Sequence, residues 1–182
     1  MLIRTYVMLV ILLLPTALEA RQRNRPFKSA ELTLEYPDNW VQQTNIGTVL
    51  VLVSTTRADT AVAIVRERLN QPLDASEMTE TFVNIQADVL KEEHADATGL
   101  TAVLVTHPTL GPVVQADFTA PGNDSRRPGP DRIRQYALPR GQFLYRIVFR
   151  ARAIDFAKQE LVFNAILKSL RITPPAPKEG QE

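Results

Sequence analysis

The stretch Gln142 to Arg152, QFLYRIVFRAR, constrains this chain most, because it alternates without a break. Phe143, Tyr145, Ile147, Phe149 and Ala151 fall on one side of an extended backbone, and Leu144, Arg146, Val148, Arg150 and Arg152 on the other. That period predicts a strand with one apolar and one basic face. Asp155 then opens a helical pattern in which Phe156, Phe163, Ile166, Leu167 and Leu170 lie broadly together. A helix over 156–170, capped by Asp155, is expected to cover the apolar face of the strand.

Asp131 to Leu138 is a second strand-like run, and Pro139, Arg140 and Gly141 separate it from the first. Gly141 can take the positive φ of a three-residue turn with a bulge, so the two runs are expected to form a hairpin. In that register Leu138 lies opposite Gln142 and Arg134 opposite Arg146. Arg132, Arg134, Arg146, Arg150 and Arg152 then share one outer face, a candidate partner surface. A two-residue turn sets Arg134 opposite Ile147, under the helix, where a charge without a partner is expensive, so the first register is expected. Like charges facing one another are themselves unfavourable. Either carboxylates of the same protein compensate them, or an acidic protein surface or anionic headgroup does, since arginine suits bidentate contact with both.

Earlier in the chain, Glu31 to Tyr36 alternates as a half-buried strand, stopped by Pro37. Pro37, Asp38 and Asn39 are turn residues that deliver Trp40 back toward the core. Thr48 to Val53 is a continuous β-branched and leucine run, which predicts a central strand covered on both faces, and Ala61 to Arg68 is its antiparallel neighbour. Asp74 and Glu77 form a capping box for a helix from about Ala75 to Glu93, with Met78, Phe82, Ile85 and Val89 as its apolar stripe. Leu100 to Thr106 and Pro112 to Thr119 are two further strands, joined through His107, Pro108 and Gly111, and 120–130 is a loop. The order is three strands, a helix, four strands and a helix. Short connections favour antiparallel neighbours, so the expected class is α+β, an antiparallel sheet with packed helices.

With 182 residues and 45% hydrophobic composition, the chain can fill one core. A single domain over 27–173 is expected. The net charge of +1 gives no overall pull toward nucleic acid, and the lack of cysteine excludes disulfides, thiol catalysis and a lipidated cysteine at a cleavage site. Residues 1–20 have the layout of a secretory signal peptide: Arg4, an apolar run from Tyr6 to Leu14, Pro15, and small residues ending at Ala20. Cleavage after Ala20 places the protein in the periplasm or outside the cell, with no transmembrane span left. The competing reading is an uncleaved anchor with a cytoplasmic domain, because Arg21, Arg23, Arg25 and Lys28 follow the apolar run. Residues 21–26 are expected to be a flexible lead-in, and 174–182, with Pro174, Pro175 and Pro177, a disordered tail.

The chain lacks G-x-x-x-x-G-K-[ST], G-x-G-x-x-G, G-x-S-x-G and H-E-x-x-H, which lowers those enzyme classes. Neither His94 nor His107 stands beside an obvious nucleophile. Glu92, Glu93, His94 and Asp96 cluster at the end of the first helix, where at most Glu92 and Asp96, four apart, share a side; a solvated helix end accounts for them, and divalent cation binding is the alternative. Asn123, Asp124 and Ser125 form a sequon that matters only in a glycosylating secretory pathway. Tyr36 and Trp40 either plug the core or line a ligand pocket. No catalytic residue, cofactor or metal site is assigned.

The run LTLEYPDNW, with Tyr36, Pro37 and Trp40, and the closing order of hydrophobic strand, helix and Ile166 to Ile172 resemble the PsbP-like and DcrB-like domains. Their superfamily also includes the Ran-binding Mog proteins. The resemblance covers about Phe27 to Thr173. It implies an α/β/α sandwich on an antiparallel sheet and, for exported bacterial members, a noncatalytic role at the cell envelope. It carries over no catalytic residue, and the cysteine that follows the signal in lipoprotein members has no counterpart here. The function expected is an exported, noncatalytic binding or assembly module acting through an unknown envelope protein. The alternative is a carrier of a small molecule or lipid between sheet and helix.

Overall fold

The computed structural model describes residues 23–45, 47–57, 59–122 and 128–175. The signal-like segment 1–20, the sequon and residues 176–182 lie outside the described residues.

Strand β8 (Asp131–Arg152) organises the fold. Straight, its 22 residues would reach about 70 Å. Yet the Asp131 carboxylate bonds the Arg150 guanidinium, 19 positions away, and the Ala153 N–H donates to the Pro130 carbonyl at 3.0 Å. The strand therefore doubles back near Gly141, which takes a φ of +59°, the left-handed conformation that glycine adopts without strain. Its first arm pairs with β7 (Gly111–Ala120), Val114 opposite Ala137 and Ala120 opposite Asp131. Its second arm pairs with β5 (Ala61–Leu73), Ala61 opposite Arg150 and Arg68 opposite Phe143.

Beyond β5 come β4 (Thr48–Ser54) and β3 (Trp40–Gln43), and beyond β7 comes β6 (Thr98–His107). The order β3-β4-β5-β8-β7-β6 is antiparallel throughout. A smaller sheet has the order β1-β2-β9, from β1 (Asn24–Lys28), β2 (Leu32–Pro37) and β9 (Arg171–Ile172).

Helix α1 (Glu80–Glu93) packs on β6 and β7, and α2 (Ala153–Ser169) on β8 and β2. The faces of the large sheet thus hold separate cores. Tyr145, Ile147 and Phe149 meet Phe156, Phe163, Ile166 and Leu167 of α2, together with Leu32, Leu34 and Trp40. Residues around α1 fill the other face: Met78 and Val83 with Ala137 and Leu144, and Leu90 with Phe118 and Ile133. This is the expected α+β class, an antiparallel sheet with packed helices. Among the described residues no helix is long and apolar enough to cross a membrane.

Several expectations need correction. Order begins before Phe27: Asn24, Arg25 and Pro26 pair with Pro37, Tyr36 and Glu35. Proline, which has no N–H to donate, is tolerated there because β1 is an edge strand. β4 is covered fully on one face only; Leu50 and Leu52 are buried and Val51 and Val53 half-buried, since α1 lies over β6 and β7 instead. The Glu77 carboxylate accepts the Asp74 N–H at 2.7 Å, but this box opens a short 3₁₀ turn, and α1 starts after Thr79. The buried stripe of α1 is Val83, Gln86 and Leu90, while Ile85 is 53% exposed. That stripe lies one residue, about 100°, from the apolar pattern, and polar Gln86 disguised it. Asp155 does not cap α2; it sits in the first turn and pairs with Arg57 at 2.7 Å.

Candidate interaction surface

The hairpin of β8 does not bring its five arginines onto one face. Tyr136 and Leu138 share a core with Tyr145, Ile147 and Phe149, whereas Ala137 packs with Leu144 and Ile133 with Val148. Even positions of the first arm therefore face the same way as odd positions of the second, which is the register parity the three-residue turn excludes. Arg132 and Arg134 lie toward α2, their guanidinium groups 4.8 and 5.5 Å from the centre of the Phe156 ring. Arg146 lies toward α1, with Glu93 at 2.8 Å and Glu67 at 3.2 Å.

Arg134 can face α2 in this register because it has carboxylate partners there. Arg134 donates to Asp117 of β7 at 2.9 Å and to Glu160 of α2 at 2.5 Å. Asp117 also takes Arg132 at 3.5 Å. Arg146 is only 8% exposed and has its two carboxylates. Arg150 holds the buried Asp131, and Arg152 donates to the Pro128 carbonyl at 2.9 Å. Four of the five are thus compensated by carboxylates of the chain, whereas Arg152 meets only a backbone carbonyl among the described residues and its Nε is buried without a partner.

These carboxylates lie far along the sequence from the arginines they meet, so no local period reveals them. A signal was present nonetheless: Asp117 interrupts the apolar run of β7, and a charge placed in a half-buried strand needs a cation beside it.

Trp40 is buried and sets its ring edge-on to Phe163, with centroids 6.4 Å apart, and Tyr36 packs half-buried against the same core. A shallow groove of about 160 Å³ lies alongside, lined by Asn24, Glu35, Pro37, Leu161, Val162, Ala165 and Ile166. Neither aromatic side chain lines it. It is smaller than the several hundred Å³ of pockets that enclose a small molecule.

Both histidines are bound into the structure. The His107 Nδ1 accepts the N–H groups of Thr109 and Leu110 at 3.2 and 3.3 Å and closes the turn between β6 and β7; burial lowers its pKa. His94 packs its ring against Phe118 with centroids 4.8 Å apart. Among the described residues no three or more His, Asp or Glu side chains are grouped so as to hold a metal ion. The Arg146 Nε and Gln86 Oε1 are buried without a hydrogen-bond partner, a donor and an acceptor on the α1 side of the sheet.

No protein-family model and no curated protein matches the sequence. Solved structures do match the fold. Cyanobacterial PsbP (CyanoP) from Synechocystis sp. PCC 6803 superposes with a TM-score of 0.53 at 12% identity, covering 82% of this chain and 92% of that one. LpqN, involved in cell envelope biogenesis of Mycobacterium tuberculosis, gives a TM-score of 0.51 at 13% identity, covering 85% and 92%. A Bacteroides thetaiotaomicron VPI-5482 protein gives 0.52 at 13% identity over 84% of this chain and half of its own. At these identities the likeness is one of fold alone: this chain has a PsbP-like fold.

Proposed function

We propose that the protein is an exported, noncatalytic binding module of the cell envelope, acting by holding a protein partner. The observation that carries this reading is how the ionisable groups are used. Arg132, Arg134, Arg146 and Arg150 are each bound to carboxylates of the chain, and His107 is bound into a turn. Acid and base groups placed for catalysis converge instead on a concave site with shifted pKa values. The fold shared with LpqN, a protein of cell envelope biogenesis, supports the location, as does the leader-like pattern of residues 1–20.

Affinity capture from envelope extracts of the source organism, with the tagged protein as bait, tests the reading. A small set of proteins retained on the bait and displaced by excess untagged protein is expected. Retention of no protein that the untagged chain displaces would overturn it.

A further inference from the structure

We propose that the outer edge of β6 is a self-association surface, at which a second copy of this chain pairs antiparallel and joins two large sheets into one. This goes beyond the binding role above and does not depend on it. An unpaired strand edge offers a row of N–H and C=O groups to any extended chain, and proteins blunt such edges with short length, proline or charge. β3, at the other end of the large sheet, is four residues long. In the small sheet, β9 has two residues, and β1 carries Arg25, Pro26 and Lys28.

β6 has none of these protections. Its ten residues, TGLTAVLVTH, include no Lys, Arg, Asp, Glu or Pro. A register shift between Thr98 and Thr101 disturbs only its start, and from Thr101 to His107 the ladder to β7 is regular. Val103 and Leu104, adjacent and therefore on opposite faces of the sheet, are 51% and 45% exposed. Among the described residues no strand pairs beyond it.

The composition of the edge argues for a second copy as its occupant. A two-fold axis normal to the sheet sets this strand against itself, each side chain beside one from the same face of the other copy. A charged edge would then meet its own charges. Here Val, Leu, Ala and Thr meet the same set, with no repulsion and no unpaired ion. A charged strand gains only the main-chain hydrogen bonds at this edge, because β6 offers its side chains no counter-charge. The occupant that fits is an uncharged strand of matching length, and each copy of the chain presents one.

Sedimentation equilibrium of the purified full chain, over about a hundredfold range of concentration, reads the mass directly. A reversible dimer is expected. The double variant Val103→Lys, Leu104→Lys keeps both side chains where they already reach water, so its circular dichroism and cooperative unfolding should remain those of a folded protein. Its dimer dissociation constant should rise by at least about tenfold, since lysines now face one another across the axis. Thr101→Lys, at another exposed position of the strand, should act in the same direction. A wild-type chain that stays monomeric throughout, or a dimer that all three lysines leave unchanged, would overturn the proposal.

Discussion

Tyr145 donates its hydroxyl proton to the Glu31 carboxylate at 2.5 Å, linking the centre of the large sheet to the residue that leads into β2. The other oxygen of Glu31 accepts from Arg66 at 2.7 Å. Tyr145 has no solvent exposure, so its hydroxyl has no water to replace this acceptor. Tyr145→Phe should therefore cost about 1.5–3 kcal/mol, the range for a hydrogen bond to a charged group. Urea denaturation measures it, and a loss below about 0.5 kcal/mol would mean that the bond contributes little.

The same residue gives a pH dependence. Burial pushes the Tyr145 hydroxyl well above the usual tyrosine value, and the bond to Glu31 adds to that; burial raises Tyr136 as well. Unfolded tyrosine ionises near pH ~10. Below that pH the contribution to stability is complete. Above it the unfolded chain sheds a proton that the fold retains, and stability falls as pH rises. Urea midpoints between about pH 8 and about pH 11 should show this decline, shallower in Tyr145→Phe than in the wild type. Equal slopes would assign the decline to other groups.

The arginines should differ sharply although they sit on one hairpin. Arg146→Glu sets a third carboxylate against Glu67 and Glu93 at a site 8% exposed, and should destabilise by more than about 3 kcal/mol. Arg150→Glu faces the buried Asp131 and should also be severe. Arg132, longer in its contact and more exposed, should cost below about 1 kcal/mol when changed to Ala. Thermal and urea unfolding of the three variants gives the ranking, and equal losses would contradict it.

Phe149 lies in the centre of the α2-side core, with ring centroids 4.7 Å from Phe163 and 6.0 Å from Tyr136. Phe149→Ala should cost about 3–5 kcal/mol. A loss under about 1 kcal/mol would show that the site collapses around the missing ring.

Export with cleavage predicts that the mature protein begins at Arg21. N-terminal sequencing of the protein from its native host checks this; Met1 retained in a membrane fraction would establish an anchor instead.

What the sequence by itself determined is what a local period encodes. The alternation of Gln142 to Arg152 and the helical spacing of Phe156, Phe163, Ile166 and Leu167 each commit a face to the core, because one face of a strand or helix repeats along the chain. Both were legible, and the two faces meet as expected. Neighbouring choices were not decided locally. A one-residue slip in the β8 hairpin exchanges every side chain between faces, and only Asp117 and Glu160, distant in sequence, make the slipped register cheap by meeting Arg134. Likewise α1 could bury either of two stripes, and contact with β6 and β7 chose the one through Gln86. That β6 ends the sheet, leaving Val103 and Leu104 in solvent, is a property of strand order, which depends on which distant segments pair and leaves no mark on the strand's own residues.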